Sequence, residues 1–142
     1  MMTYTSKYVR IGSFFRPIIP VSLKYNSTTF DYLALVDSGA DFNMFHAGLA
    51  KILGIDLTRL KRIPFSGIKS NATGEAFVTA IDLGINNVSV NSPVMFSNDI
   101  SDNGYGIVGQ LGFFNHFNIT FDYLNKDIEL RFKKEDVGKS IQ

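Results

Sequence analysis

Cysteine and tryptophan are both absent from the 142 residues. Without cysteine there is no disulfide framework, no thiolate nucleophile, no cysteine-type zinc site and no iron–sulfur cluster. Histidine is nearly as scarce, with His46 and His116 alone, which argues against a multi-histidine metal site within one chain. No apolar run approaches the length of a bilayer span. The opening MMTYTSKYVR lacks the apolar stretch of a secretory signal. The expectation is a cytoplasmic protein without a membrane partner, or a fragment trimmed from a larger precursor. Neither sign of charge dominates: 14 Lys and Arg against 13 Asp and Glu leave a formal net charge of +1. That is too small an excess to suggest a nucleic-acid partner. No stretch rich in proline, glycine or serine divides the chain. A single domain over residues 1–142 is expected, with its core in about 18–132 and a polar tail in 133–142.

The residues that are present favour β-structure. Hydrophobic residues make up 45% of the chain, including 13 Phe and 6 Tyr, enough for a packed core. Residues 18–25 (IIPVSLKY) read as a strand, with Pro20 marking an edge or a bulge. Asn26-Ser27-Thr28 is a turn, and residues 30–36 (FDYLALV) return as a second strand, giving a hairpin. Residues 46–53 (HAGLAKIL) carry apolar side chains at helical spacing, and Gly54 supplies a stop. Strands are expected at 76–83 and 88–96, and a closing hairpin at 119–123 and 128–132. Residues 110–117 are expected to form a second short, imperfect helix, weakened by Gly112.

One weak repeat stands out. An apolar strand ends in Leu35-Val36-Asp37-Ser38-Gly39, and much later another ends in Ile107-Val108-Gly109. Each is followed by a helix-like segment. Glycine at the exit of a buried strand suits two loops that approach closely at the centre of a fold. A carboxylate in such a place is costly unless it has a partner or a function. Asp37 is therefore the candidate chemical group. Asp-Ser-Gly is also common turn chemistry, and Ile107-Val108-Gly109 alone is more often a core strand meeting a turn. Asp41 and Asn43 each suit either a cap on the next helix or turn or a substrate contact. Ser38 is not set in the G-x-S-x-G context of a hydrolase nucleophile. Asp37, Asp41 and His46 match no metal-ligand spacing, and Asp99, Asp102 and Asn103-Gly104 lack the alternating acids of a calcium loop. Arg59, Lys61, Arg62 and Lys69 read as a solvated basic surface.

Leu35-Val36-Asp37-Ser38-Gly39-Ala40-Asp41 resembles the active-site signature of the retropepsin-like aspartic proteases. Ile107-Val108-Gly109 resembles that family's second signature, and Phe65-Ser66-Gly67-Ile68 stands where the family has its flap. The resemblance covers residues 18–132. It implies an all-β, closed-barrel fold and an endopeptidase that needs no cofactor and no metal. Peptide hydrolysis by this route takes two carboxyls sharing one proton, one acting as base and one as acid. The chain holds a single Asp-Ser-Gly, so the second Asp37 would come from another copy in a homodimer acting on a polypeptide substrate. Ser38 would brace the two loops across the axis. Gly39, Ala40 and Asp41 would contact substrate, and Gly67 and Ile68 would lie in the flap. The family's dimers also pair chain termini. Two departures stand against the pattern: Gln110 replaces a common arginine that pairs with the acid equivalent to Asp41, and Lys69-Ser70 replaces a second glycine pair in the flap. A non-catalytic module that holds peptide or a partner chain on the same fold is the alternative.

Overall fold

A computed structural model describes residues 2–66 and 73–132. The strands in chain order are β1 (Met2–Lys7), β2 (Val9–Ile11), β3 (Phe14–Arg16), β4 (Ile18–Tyr25), β5 (Thr28–Val36) and β6 (Asn43–His46). A helix α1 (Ala47–Ile52) and a 3-10 turn (Leu57–Arg59) come next. Then come β7 (Lys61–Ser66), β8 (Thr73–Ile85), β9 (Val88–Ser97), β10 (Gly106–Val108), β11 (Asn118–Asp122) and β12 (Asp127–Phe132).

Six strands close on themselves in the order β4-β5-β10-β6-β9-β8, with β8 returning to β4, and β7 attaches to β8 from outside. Alternation decides which side chains fill this barrel. Along β4, Ile19, Val21 and Leu23 are buried while Pro20 and Lys24 are exposed. Pro20 pairs with Leu33 of β5, but β8 meets β4 only at Ser22–Lys24. Its missing N–H therefore falls where one flank of the strand is free, as a proline in a sheet requires. Phe45, Ile81, Leu83, Val94, Phe96 and Val108 complete the interior.

A second sheet of three strands, in the order β1-β12-β11, packs Ile128, Leu130 and Phe132 into the same core. A separate two-stranded ribbon joins β2 and β3. These N-terminal strands were not expected from the sequence. Their residues are largely exposed, so they carry little apolar alternation, and β12 supplies most of the burial that holds β1 in place.

The helix expected at 110–117 does not form. Gly112 sits at φ +105°, outside the helical region, and a β-carbon there would lie 2.6 Å from both Asn43 Nδ2 and Ser92 Oγ. The segment folds instead as successive turns, with Phe114 N donating to Gly109 O and His116 N to Phe113 O. Phe113 and Phe117 fix it to the core, their ring centroids 4.8 Å apart. One α-helix is present among the described residues. It starts at Ala47, capped by His46, whose Nδ1 accepts from Gly48 N at 3.0 Å, and the chain leaves through Gly54 at φ +77°.

Candidate active site

The two halves of the weak repeat lie side by side. β5 and β10 pair in parallel, with Leu35 opposite Ile107 and Val36 opposite Val108. Asp37 leaves β5 at the level where Gly109 leaves β10, and its N–H donates to Val108 O at 3.0 Å. The loop then folds back on its own acid: Gly39 N donates to Asp37 Oδ1 at 2.9 Å and Ala40 N to Asp37 O at 3.1 Å. The carboxylate is thus oriented by a backbone N–H and half-buried.

The Gly109 loop closes on the Asp37 loop through backbone. Gln110 N donates to Ala40 O and Leu111 N to Asp41 O, both at 2.9 Å. A β-carbon on Gly109 would stand 2.6 Å from Ala40 O and Phe42 O, so only glycine permits this approach. The Gln110 side chain does not reach Asp41. Its Nε2 donates to Ser38 O at 2.8 Å and ties the two loops a second time. Asp41 is exposed and caps no helix, since α1 begins at Ala47 and is capped by His46.

Behind both loops lies Asn43, with a relative exposure of 0%. Its Oδ1 accepts from Gly109 N at 3.0 Å, and its Nδ2 donates to Ser92 Oγ at 2.9 Å and Pro93 O at 3.2 Å. Ser92 Oγ donates onward to Gly112 O. Asn43 is therefore neither a cap nor a group facing substrate; it is an internal strut from β6 to β9 and the Gly109 loop. The sequence carried a signal for it, a lone amide in the apolar run Phe42-Asn43-Met44-Phe45, because a buried amide must find partners.

Asp37 and Ser38 open onto a concave pocket of about 400 Å³ walled by Tyr8, Phe15, Arg16, Leu35, Phe121 and Tyr123 among others. Burial first, then the charge of Asp122 and the neighbouring Tyr123, push the Tyr8 phenol above its ordinary range. Lys126 Nζ lies 3.4 Å from the Tyr123 ring centroid and 5.2 Å from that of Phe15, so a cation backs the aromatic wall. Sequence reading missed this wall because, Leu35 apart, its residues come from Tyr8, β3, β11 and the turn after β11, which no local pattern connects to Asp37. Gly67 and Ile68 lie outside the described residues. Asp99, considered above for a calcium loop, serves its own neighbourhood instead, its Oδ2 accepting from Glu75 N at 2.9 Å. No group of three or more His, Asp or Glu side chains suited to a metal occurs among the described residues. No helix among them is long and apolar enough to cross a membrane.

A closed six-stranded β-barrel with a single short helix among the described residues matches the all-β fold of a retropepsin-like protein. The chain has that fold. It matches the crystal structure of a retropepsin-like aspartic protease from Rickettsia conorii with a TM-score of 0.65, over 92% of this chain and 99% of the other, at 18% identity. The EIAV protease in complex with the inhibitor HBY-793 matches over 71% of this chain and 88% of its own, at 20% identity and a TM-score of 0.48. No protein-family model matches the sequence, and no curated protein matches it.

Proposed function

We propose that the chain is an aspartic endopeptidase that works as a homodimer, each copy contributing Asp37. The observation that carries this reading is the placement of Asp37. The acid stands at the exit of a barrel strand, oriented by Gly39 N and locked against the Gly109 loop, at the mouth of a pocket. One carboxylate offers a base or an acid, not both at once. Two in contact hold a single proton between them, because two adjacent negative charges repel. The ionised carboxyl takes a proton from a water molecule, whose oxygen attacks the peptide carbonyl carbon. The protonated carboxyl gives its proton to the carbonyl oxygen. Return of that proton, with transfer of one to the amide nitrogen, breaks the C–N bond and restores the pair. No metal or organic cofactor enters these steps.

In this reading Ser38 braces the loops at the axis, and Gly39, Ala40 and Asp41 present groups to an extended polypeptide. Ile107, Val108 and Gly109 hold the acid-bearing loop from behind, and Gly67 and Ile68 are proposed substrate contacts. The exposed Asp41 carboxylate suits a contact with peptide N–H groups. The test is cleavage of a mixed peptide library by the wild type and Asp37→Asn, with molar mass measured in the same solutions. Cleavage by dimeric wild type that disappears in the variant is expected. Equal cleavage by both, or none by either, would reject the enzyme in favour of a binding module.

A further inference from the structure

A second concavity shares no residue with the walls of the Asp37 pocket. It holds about 210 Å³. Phe30 and Tyr32 of β5 line it, together with His46, with Gly48, Leu49 and Ile52 of α1, and with Asp102 from the segment between β9 and β10. Alternation along β5 turns Phe30 and Tyr32 to one side of the strand and Asp31 to the other. The two rings stand 6.0 Å apart between centroids.

Charge, ring chemistry and room together define what this pocket can hold. Asp102 is exposed, and among the described residues no cation pairs with it. Its charge reaches the rings: burial first, then Asp102, push the Tyr32 phenol above its ordinary range. His46 adds no opposing charge. Its Nδ1 accepts from Gly48 N at 3.0 Å, so that nitrogen keeps its lone pair and the ring is neutral, with its proton on Nε2. Gly48 is a glycine inside a six-residue helix, where glycine weakens the element, and no positive φ requires it. A β-carbon there would stand 3.1 Å from His46 Nδ1, so its absence leaves room beside the imidazole. The volume is below the roughly 300–1,000 Å³ of pockets that enclose whole small molecules, which suits the end of one chain.

We propose that this pocket binds an alkylammonium group, the end of a lysine side chain or of a small free amine, with the cation held by the Phe30 and Tyr32 rings and the Asp102 carboxylate and the alkyl stem against Leu49 and Ile52. Aromatic faces attract a cation, and the carboxylate supplies the opposite charge while repelling anions. The occupant joins β5 and α1 to the segment that leads into β10, the strand paired with the one that carries Asp37. The proposal does not rest on the peptidase reading.

The test is an NMR titration of the full chain with butylammonium, with butanol and butyrate as neutral and anionic counterparts of the same length. Butylammonium is expected to shift the Tyr32 and Leu49 resonances and to bind more tightly than butanol, while butyrate leaves them unmoved. Asp102→Asn is expected to keep the circular dichroism of the wild type, to weaken butylammonium binding about threefold and to leave butanol binding unchanged. Asp31→Asn removes the same charge from the other side of β5 and is expected to bind as wild type. Tighter binding of Nα-acetyl-lysine methylamide than of butylammonium would assign the group to a peptide, and the reverse to a free amine. Butanol or butyrate binding as tightly as butylammonium would overturn the proposal, as would shifts that spare Tyr32 and Leu49, full affinity in Asp102→Asn, or an equal loss in Asp31→Asn.

Discussion

At the residue scale the site depends on groups that never face the pocket. Asp37 is oriented by Gly39 N and held by the Gly109 loop, and that loop is positioned by Asn43. Truncating the buried amide strands Gly109 N without an acceptor and Ser92 Oγ without a donor. Asn43→Ala should therefore lower unfolding stability by about 2 kcal/mol, measured by denaturant titration; an unchanged midpoint would mean the strut is dispensable. Asp37 was legible because Asp-Ser-Gly after an apolar strand is a local pattern. Asn43 was visible only as a choice between cap and contact, since its partners Ser92 and Gly109 are far away along the chain. A separate carboxylate reports on the β11–β12 turn. The side chain and backbone N–H of Asn125 hold Asp122 below its ordinary range. A lowered value in the folded state means that its contribution to stability is present above the ordinary carboxylate range and lost as pH falls through the lowered one. Asn125→Ala should move the Asp122 titration upward in carboxyl NMR; no movement would assign the depression to another cause.

At the scale of elements, alternation and turn chemistry identified most of the barrel. β4, β5, β9, β12 and α1 were readable because each has a clear apolar period and a turn or glycine beside it. β1, β2 and β3 were not, because their side chains are mostly exposed and only pairing makes them strands. The segment after β10 suggests a helix because its phenylalanines have nearly helical spacing, while the positive φ of Gly112 goes with a contact to Asn43 and Ser92 that sequence does not display. Gly67 and Ile68, read as flap residues, lie outside the described residues. Two glycines allow the backbone and packing costs to be separated. Gly104 has φ +97° and nothing within 4 Å of the position a β-carbon would take, whereas Gly112 has φ +105° and contacts at 2.6 Å. Both alanine variants bear the cost of a left-handed residue, about 1 kcal/mol, and Gly112→Ala adds a collision with the strut. Thermal unfolding should show the larger loss at Gly112; equal losses would mean that the surroundings give way freely.

At the scale of the whole molecule, the retropepsin-like fold brings one strand-exit carboxylate per chain to the wall of an aromatic pocket, and the catalytic reading requires two. The repeat makes the asymmetry plain: β5 and β10 lie in parallel register, yet Asp37 on one side is matched by Gly109 on the other. A chain with acids at both exits would carry the pair by itself; in the proposed reading the second acid comes from another copy. The most direct measurement is peptidase activity of wild type mixed with Asp37→Asn at constant total chain after the subunits have exchanged. If each active unit needs Asp37 from both copies, activity varies as the square of the wild-type fraction, and an equal mixture retains about a quarter of the starting rate. A linear fall, with about half the rate retained at equal mixture, would show that a single Asp37 suffices and would contradict the account.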